Sequence, residues 1–205
     1  MTRWQCALTW LITILLTPVI AVIIMICACL IMLVNGYAPF FRQERIGKHG
    51  RPFVCYKLQT MRPLQDGEEY LDPEHNARRS DPLGDFLRDH GIDELPQLFN
   101  VYRGEMALIG PRPLMQKNID MIRSKNGECI GVVNCWLQHR AEWLPGITGW
   151  HQVNSSGPGI MLFDLAYVGG LPWRKYCTIV WRSLWVIPAS KEQLPGHPAT
   201  PSVST

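Results

Sequence analysis

The first forty residues place the strongest constraint on how this chain folds. No charged residue occurs between Arg3 and Arg42, a gap of 38 positions, and residues 6–34 are almost wholly apolar. About 18 consecutive apolar residues suffice for a membrane helix, so a soluble globule with an evenly polar surface is excluded. The run is also longer than the apolar region of roughly 7–15 residues in a secretory signal peptide. We therefore predict a membrane anchor over residues 1–38.

Two geometries are open for this anchor. A straight helix over residues 6–34 would be about 44 Å long, against about 30 Å of hydrocarbon in a bilayer. Pro18 lies near the middle, where a proline removes a backbone donor and kinks a helix, and the Thr17 hydroxyl can bond a carbonyl nearby. Two half-helices on either side of this kink would dip into one leaflet and return. Proline is also common in spanning helices, so the residues alone favour neither geometry.

Basic residues follow the apolar run directly. Residues 42–62 carry six basic residues and one acidic residue, a net of +5, which suits an anionic membrane surface. Because positive flanks favour the cytoplasmic side, we expect residues 42–205 to face the cytoplasm. The net charge of the whole chain is only +3, so we expect no nucleic-acid partner. Seven cysteines without a CxxC pair indicate a reducing compartment, and Cys129, Cys135 and His139 are too loosely spaced to predict zinc.

Residues 39–187 read as one compact cytoplasmic domain of the α+β class, mainly helical. Two extended stretches, Phe41–Ile46 and Pro52–Leu58, flank a turn signal and predict a small β-hairpin. Residues 63–80 are polar and predict a loop. Asp81 followed by proline predicts a helix to about His90, Asp93 looks like the cap of a further helix, and another helix is expected over residues 114–126.

The end of the domain has a second membrane signal. Residues 172–187 are apolar and contain Trp173, Trp181 and Trp185 together with basic residues, a pattern typical of an amphipathic helix at a membrane interface. A core helix with snorkelling cations is the alternative. Residues 188–205 are rich in proline, serine and threonine, and we expect a disordered tail.

The chemistry is expected at Asp93 and Glu94. One of two adjacent carboxylates can attack phosphorus while the other holds a divalent cation, although both residue types are also common at the start of a helix. Lys57, Arg88 and Arg112 supply positive charge suited to phosphate. The sequence contains neither GxxxxGK[ST] nor GxGxxG, so a P-loop or Rossmann nucleotide site is not predicted.

Five motifs in order make the pattern specific. They are PFFRQERIG at 39–47, YK at 56–57, DELPQLFNV at 93–101, IGPRP at 109–113, and PGITGW with QVN over 145–154. Together they resemble the bacterial sugar transferase family, the monotopic polyprenyl-phosphate phosphoglycosyl transferases, in its minimal catalytic form. The similarity covers about residues 4–187.

The resemblance implies an activity and roles for single residues. Family members transfer a sugar-1-phosphate from a nucleotide sugar, usually a UDP-sugar, to undecaprenyl phosphate at the bacterial inner membrane, release UMP and initiate glycoconjugate or polysaccharide assembly. By resemblance, Asp93 is the nucleophile that forms a phosphosugar-aspartyl intermediate, and Glu94 binds Mg²⁺. The phosphate-contacting residues are then Lys57, Arg88 and Arg112.

Weaker parts of the pattern concern the anchor and the end of the domain. The family's re-entrant helix-break-helix anchor has a Ser-Pro-like step, which Thr17 and Pro18 match. Asp164 and Tyr167 roughly match a late Asp-x-x-Tyr pattern.

The sequence also departs from the family pattern. Gln59 stands where an arginine is usual, and Ser155 and Ser156 replace a usual Gly-Arg step. Intact Asp93 favours an active enzyme. The alternatives are a non-catalytic membrane scaffold that recruits downstream glycosyltransferases, and a metal-dependent phosphatase acting on lipid diphosphates.

Overall fold

A computed structural model describes residues 3–66, 73–151, 160–164, 167 and 170–185 of the 205-residue chain. The described part is mostly helical with two small two-stranded sheets, in agreement with the predicted class. The elements are α1 Arg3–Asn35, β1 Phe40–Ile46, β2 Pro52–Leu58, α2 Pro73–Arg79, α3 Pro82–Asp89, α4 Leu98–Tyr102, β3 Ala107–Ile109, α5 Gln116–Lys125, α6 Ile130–Ala141, β4 Gly146–Thr148, α7 Ile160–Asp164 and α8 Trp173–Trp185.

The apolar run forms α1, a helix of 33 residues that continues through Pro18. A single helix thus stands where two half-helices were one of the alternatives, because a proline removes only one backbone donor and the helix continues on both sides of it. Re-entry of this segment into one leaflet stays a prediction. The Thr17 hydroxyl donates to the Thr13 carbonyl at 2.6 Å, the kind of bond that was predicted beside the proline. By length and composition alone, Thr13–Asn35 is apolar enough to cross a membrane, with a mean hydropathy of 3.1.

The predicted hairpin is confirmed. Strands β1 and β2 pair antiparallel, with Phe41 opposite Lys57 and Arg45 opposite Phe53. Since side chains alternate along a strand, Arg45 and Lys57 lie on the same face of the hairpin. This face contains the buried residues Phe53 and Cys55, so it is the one that packs against the domain.

Helix α3 begins as predicted. Asp81 is the N-cap, and its side chain accepts a hydrogen bond from the Gly84 amide at 2.8 Å. The predicted loop over residues 63–80 was partly wrong, because Pro73–Arg79 forms α2. Buried Arg79 donates to the Arg62 carbonyl at 2.7 Å, which holds this short helix against the preceding segment.

The segment around Asp93 differs from the prediction. Gly91 has a φ of +65°, a left-handed conformation suited to glycine, and a 3₁₀ turn follows over Ile92–Gln97 before α4 begins. Asp93 therefore lies inside this turn and does not cap a helix.

Three further elements, β3, β4 and α6, were not predicted from the sequence. Strands β3 and β4 pair parallel. Gly146 permits their close approach, since a Cβ there would lie 2.1 Å from the Gly110 nitrogen. Helix α6 was also not predicted, whereas α5 lies within the predicted range 114–126.

Helix α1 packs along the rest of the molecule. Cys27 and Ile31 form an apolar cluster with Leu58 of β2 and Leu87 of α3. Near the other end of α1, the Tyr102 hydroxyl of α4 bonds to the Thr17 hydroxyl and lies 3.4 Å from the Thr13 carbonyl. The contacts between α1 and the domain thus extend over much of the length of the helix.

Helix α8 has two different faces. Tyr176 and Ile179 are buried in a cluster with Ile109, whereas Trp173 and Trp181 are 44% and 63% exposed. The helix is thus anchored in the core and presents tryptophan outward, so it has features of both predicted alternatives. The predicted tail over residues 188–205 and the Ser155 and Ser156 departure lie outside the described residues.

Candidate active site

Two adjacent acids are held in the 3₁₀ turn between α3 and α4. The side chains of Asp93 and Glu94 are only 4% and 11% exposed. The turn packs against β2 on one side and against α1 on another. Burying a carboxylate away from water is costly unless it has charged or hydrogen-bonding partners, so the surroundings of this pair are informative.

Two cations from different elements surround the acids. The Lys57 Nζ of β2 lies 2.7 Å from Glu94 Oε1 and 3.9 Å from Asp93 Oδ2. The Arg112 Nη2 lies 3.4 Å from the same Glu94 oxygen. The structure therefore brings together four of the residues that the sequence singled out, Asp93, Glu94, Lys57 and Arg112, which we call the dyad cluster.

Arg112 is positioned by the small parallel sheet. The Gly110 amide donates to the Thr148 carbonyl at 3.0 Å, and the Gly146 amide donates to the Pro111 carbonyl at 3.0 Å. These two bonds fix the backbone immediately before Arg112, and prolines flank the arginine on both sides. The guanidinium is thus presented from a stiff loop, as bidentate phosphate binding requires.

Arg45 is a further cation at this site that the sequence analysis did not select. Its Nη1 donates to the Pro113 carbonyl at 3.1 Å, and it lines a small cavity together with Lys57 and Glu94. Burial, and then the neighbouring Arg112 charge, lower the pKa of Arg45 to about 10. The alternation of side chains along β1 could have predicted this position, because it places Arg45 on the same face of the hairpin as Lys57.

Arg88 and Gln59 have other partners. The guanidinium of Arg88 contacts Asp85, the Ser80 hydroxyl and the Thr60 carbonyl. Among the described contacts it is thus Lys57 and Arg112 that meet the acids. Gln59, which stands in place of a usual arginine, is buried and donates to the Met61 carbonyl.

Asp164 and Tyr167 belong to a second cluster. Asp164 Oδ2 accepts a hydrogen bond from Trp136 Nε1 at 3.0 Å and pairs with the Arg140 guanidinium. Burial raises the pKa of Asp164, while Arg140 and Trp136 oppose that rise. The Tyr167 hydroxyl accepts from the Trp150 amide at 2.9 Å, and burial raises the pKa of Tyr167 to about 12.

The donor set of the dyad cluster fits magnesium. Within the described ranges no group of three or more His, Cys, Asp or Glu side chains could hold a metal ion. Magnesium in phosphate-transfer sites needs only one or two carboxylates, because substrate phosphate oxygens and water complete its octahedron. Two adjacent acids match this requirement, as does the oxygen chemistry of their side chains.

The arrangement suits reactions at phosphorus. A buried carboxylate beside another acid and at least two cations can approach a phosphate that the cations attract and orient. The polar cluster lies next to the apolar helix α1, since the 3₁₀ turn contacts α1 and its Ile92 packs against the apolar cluster that includes Cys27 and Ile31. A polar phosphate and an apolar chain can therefore both be accommodated near Asp93.

Comparison with known proteins gives a consistent picture. A family model described as bacterial sugar transferase matches residues 2–190. An uncharacterized sugar transferase EpsL of Bacillus subtilis is 38% identical over 134 residues, which cover 65% of this chain and 60% of that relative. A UDP-glucose:undecaprenyl-phosphate glucose-1-phosphate transferase of Caulobacter vibrioides is 35% identical over 151 residues, covering 74% of this chain and 54% of the relative.

A second protein with that name, from Escherichia coli, is 32% identical over 148 residues, which cover 72% of this chain and 29% of the relative. The chain thus spans between about a third and three fifths of the length of these three curated relatives.

Proposed function

The chain belongs to the bacterial sugar transferase family, and from this premise we propose that it is a phosphoglycosyl transferase. It transfers a sugar-1-phosphate from a UDP-sugar to undecaprenyl phosphate and yields a polyprenyl diphosphate sugar and UMP. The observation that carries the proposal is the buried Asp93–Glu94 pair with Lys57 and Arg112 on its oxygens. The names of two relatives state a reaction of this class.

The reaction proceeds in two displacements at one phosphorus atom. An Asp93 carboxylate oxygen attacks the phosphorus that bears the sugar, and the bond from that phosphorus to the bridging oxygen breaks, so that UMP leaves with the electron pair. A phosphate oxygen of undecaprenyl phosphate then attacks the same phosphorus and displaces the Asp93 carboxylate. Two steps allow a soluble donor and a lipid acceptor to use one small site in turn.

The cations have separate roles in this scheme. Lys57 and Arg112 hold the phosphate oxygens near Asp93 and stabilise the charge that develops on them. Glu94 would hold Mg²⁺. When bound, the metal supplies positive charge that offsets the repulsion between the carboxylate and the phosphates.

The packing of α1 supports a monotopic anchor, and the basic residues that follow it favour the cytoplasmic face of the inner membrane. From Thr13, near Tyr102, to Ile31, beside Leu87, the helix rises about 27 Å at 1.5 Å per residue. This is nearly the hydrocarbon thickness of about 30 Å. A straight perpendicular crossing would carry α4 through most of the bilayer, so we propose that α1 enters one leaflet and that both of its ends face the cytoplasm. The lipid-linked product would then be available to downstream glycosyltransferases.

The covalent step can be tested by mass spectrometry. Full-length protein in lipid nanodiscs is mixed with UDP-sugars in the absence of acceptor, and the Asp93 peptide is expected to gain the mass of a sugar phosphate. Asp93→Asn should lose both the adduct and transfer, the latter by about 10⁴-fold or more, because an amide cannot form the acyl phosphate. Asp89→Asn is the matched control, since it removes an exposed carboxylate four residues away and should behave as the parent.

Each other outcome has a defined meaning. A scaffold would release no UMP with any donor, and a phosphatase would act on lipid diphosphates without a nucleotide. Transfer that survives in Asp93→Asn would refute the role given to this side chain.

The anchor geometry has its own test. A cysteine introduced by Thr2→Cys should react with an impermeant maleimide from the cytoplasmic side only. Pro18→Leu restores a backbone donor in α1 and favours a straight crossing, so it should move this label to the far side. Labelling from the far side in the Pro18 parent would contradict re-entry.

A further inference from the structure

A large cavity adjoins the dyad cluster across the Gly-Pro-Arg-Pro loop. Its volume is about 510 Å³, within the range of small-molecule sites, and Pro111 forms part of its wall. We propose that this cavity, which we call the α6 cavity, binds the uracil base of the nucleotide-sugar donor. The inference rests on the proposed function and names the part of the donor that the dyad cluster does not hold.

The lining favours a flat and largely apolar group. Val132 and Trp136 of α6, Trp143 after it, and Met161 of α7 supply apolar surface. Aromatic side chains bind planar heterocycles by stacking or edge contacts. The wall thus offers large apolar faces, and its polar members are His139, Arg140, Asp164 and Tyr167.

One polar atom of a residue in the cavity wall, Asp164 Oδ1, accepts no hydrogen bond from the described residues. Asp164 is 6% exposed, and its Oδ2 takes the bonds from Trp136 and Arg140. Its Oδ1 is buried and has no hydrogen-bond partner among the residues that the structure describes. An unsatisfied buried acceptor costs about 1–3 kcal/mol, so a ligand that brings an N–H group to Oδ1 would recover that energy.

This combination selects uracil over the other parts of the two substrates. A pyranose carries several hydroxyls, and a largely apolar wall would leave most of them unsatisfied. An isoprenoid chain brings no donor for Asp164 Oδ1. Uracil has apolar faces and a single ring N–H at N3, whereas cytosine has an acceptor at N3, which a carboxylate repels.

The position of the cavity allows one nucleotide to reach both regions. Pro111 lines the α6 cavity, and the next residue, Arg112, lies 3.4 Å from Glu94. Consecutive Cα atoms are about 3.8 Å apart. A base bound against Pro111 would thus lie one residue from the position that presents the Arg112 guanidinium to Glu94.

Two native cysteines provide a direct test. Cys135 lines the α6 cavity, whereas Cys129, six positions earlier, does not line it, and both are exposed free thiols. Full-length protein in nanodiscs is alkylated with iodoacetamide, and both rates are followed by peptide mass spectrometry. UMP at ten times its Kd should slow alkylation of Cys135 about tenfold and leave Cys129 unchanged.

The other probes identify the part of the substrates that binds. CMP, glucose 1-phosphate and undecaprenyl phosphate should not protect Cys135. Protection by CMP equal to that by UMP would overturn the role of Asp164, protection by glucose 1-phosphate would make the cavity a sugar site, and protection by undecaprenyl phosphate would make it a lipid groove. Equal alkylation of Cys135 with and without UMP would overturn the proposal outright.

A matched pair of variants extends the test to kinetics. Gly131 lines the cavity and Gly127 does not, and a Cβ at either position has no heavy atom within 4 Å. Gly131→Met should occupy cavity space and raise KM for the UDP-sugar about tenfold, with kcat and KM for undecaprenyl phosphate within about twofold. Gly127→Met should leave all three constants unchanged. An unchanged donor KM in Gly131→Met would count against the base site.

The two proposals fail separately. UMP protection needs no turnover, so it should persist in Asp93→Asn. Protection without any transfer activity would refute the proposed function and keep the base site. Transfer activity without protection would refute the base site and keep the proposed function.

Discussion

Two buried acid–cation clusters lie on either side of the Gly-Pro-Arg-Pro loop, and they differ in their charge arrangement. In the dyad cluster Lys57 pairs with both adjacent acids and Arg112 pairs with Glu94, and the two cations come from separate parts of the chain. In the second, the Asp164 cluster, one acid pairs with Arg140 and Trp136, which both come from α6. The cations of the first cluster can bind a substrate and still leave the acids with a partner, as a reaction site requires. The second cluster is a buried ion pair in the wall of the α6 cavity.

The difference lies in what remains when one cation is lost. Among the described ion pairs Glu94 has both Lys57 and Arg112 as partners, so it keeps one when the other is removed or turns toward a ligand. Asp164 has one cationic partner among the described ion pairs, and this pair is nearly sealed from water, with side-chain exposures of 10% and 5%. Breaking a buried pair is expensive because an uncompensated charge stays behind.

The largest effect on stability is therefore expected at Arg140. Arg140→Met should lower the free energy of unfolding by about 3–5 kcal/mol, because Asp164 loses its buried partner. Arg103→Met removes an exposed ion pair with Glu105 and should cost less than about 1 kcal/mol. Unfolding in nanodiscs, followed by tryptophan fluorescence, measures both.

The pH dependence of this loss has a definite sign. Without Arg140 the pKa of Asp164 should rise further above its ordinary value of 3.8, since the Trp136 hydrogen bond alone then opposes the effect of burial. A carboxyl with a raised pKa in the folded state binds protons that the unfolded state releases, so stability falls as pH rises through that window. The cost of Arg140→Met should thus be smaller at pH 5 than at pH 8, and an equal cost would mean that Asp164 is not the group left behind.

Lys57 should show the opposite pattern. Lys57→Met should lower transfer about a hundredfold, because one donor to the phosphate is lost. The free energy of unfolding should fall less in Lys57→Met than in Arg140→Met, since Arg112 still pairs with Glu94. Lys48→Met, an exposed position on the same hairpin, is the control and should leave both quantities unchanged. A stability loss as large as that of Arg140→Met would remove the distinction between the clusters.

Magnesium should separate the two clusters by the residue that binds it. At ten times its Kd, Mg²⁺ is expected to stabilise the protein by about 1.4 kcal/mol, and chelation should stop UMP release. The stabilisation should vanish in Glu94→Gln and persist in Asp164→Asn. Stabilisation that survives in Glu94→Gln would remove this residue from the metal site.

Elements that depend on neighbouring residues alone were predicted from the sequence. The hairpin and the Asp81 cap of α3 followed from strand alternation and from capping chemistry, and the structure has both. Asp93 and Glu94 were selected because adjacent acids suit phosphate chemistry, and the structure places them with Lys57 and Arg112. Their catalytic roles stay predictions.

Features that depend on distant segments were missed. Strands β3 and β4 lie nearly forty positions apart, and each has three residues. A strand of three residues is too short to show the alternation of apolar and polar residues that predicts a strand. Arg45 was passed over because its importance arises from Pro113, which lies far along the chain. Asp93 was expected to cap a helix, but the left-handed Gly91 starts a 3₁₀ turn that includes it.

The packing of Ile92 against the apolar cluster that includes Cys27 and Ile31 has a consequence for how such a protein can be studied. Ile92 precedes the proposed nucleophile, Asp93, and packs against a cluster that includes two side chains of α1. Helix α1 therefore supports the turn that holds the catalytic acids. A water-soluble fragment made by deleting the helix would lose this support and would expose the apolar underside of the turn. The same helix thus serves as membrane anchor and as packing partner of the catalytic turn. A change that alters one of these roles should also affect the other.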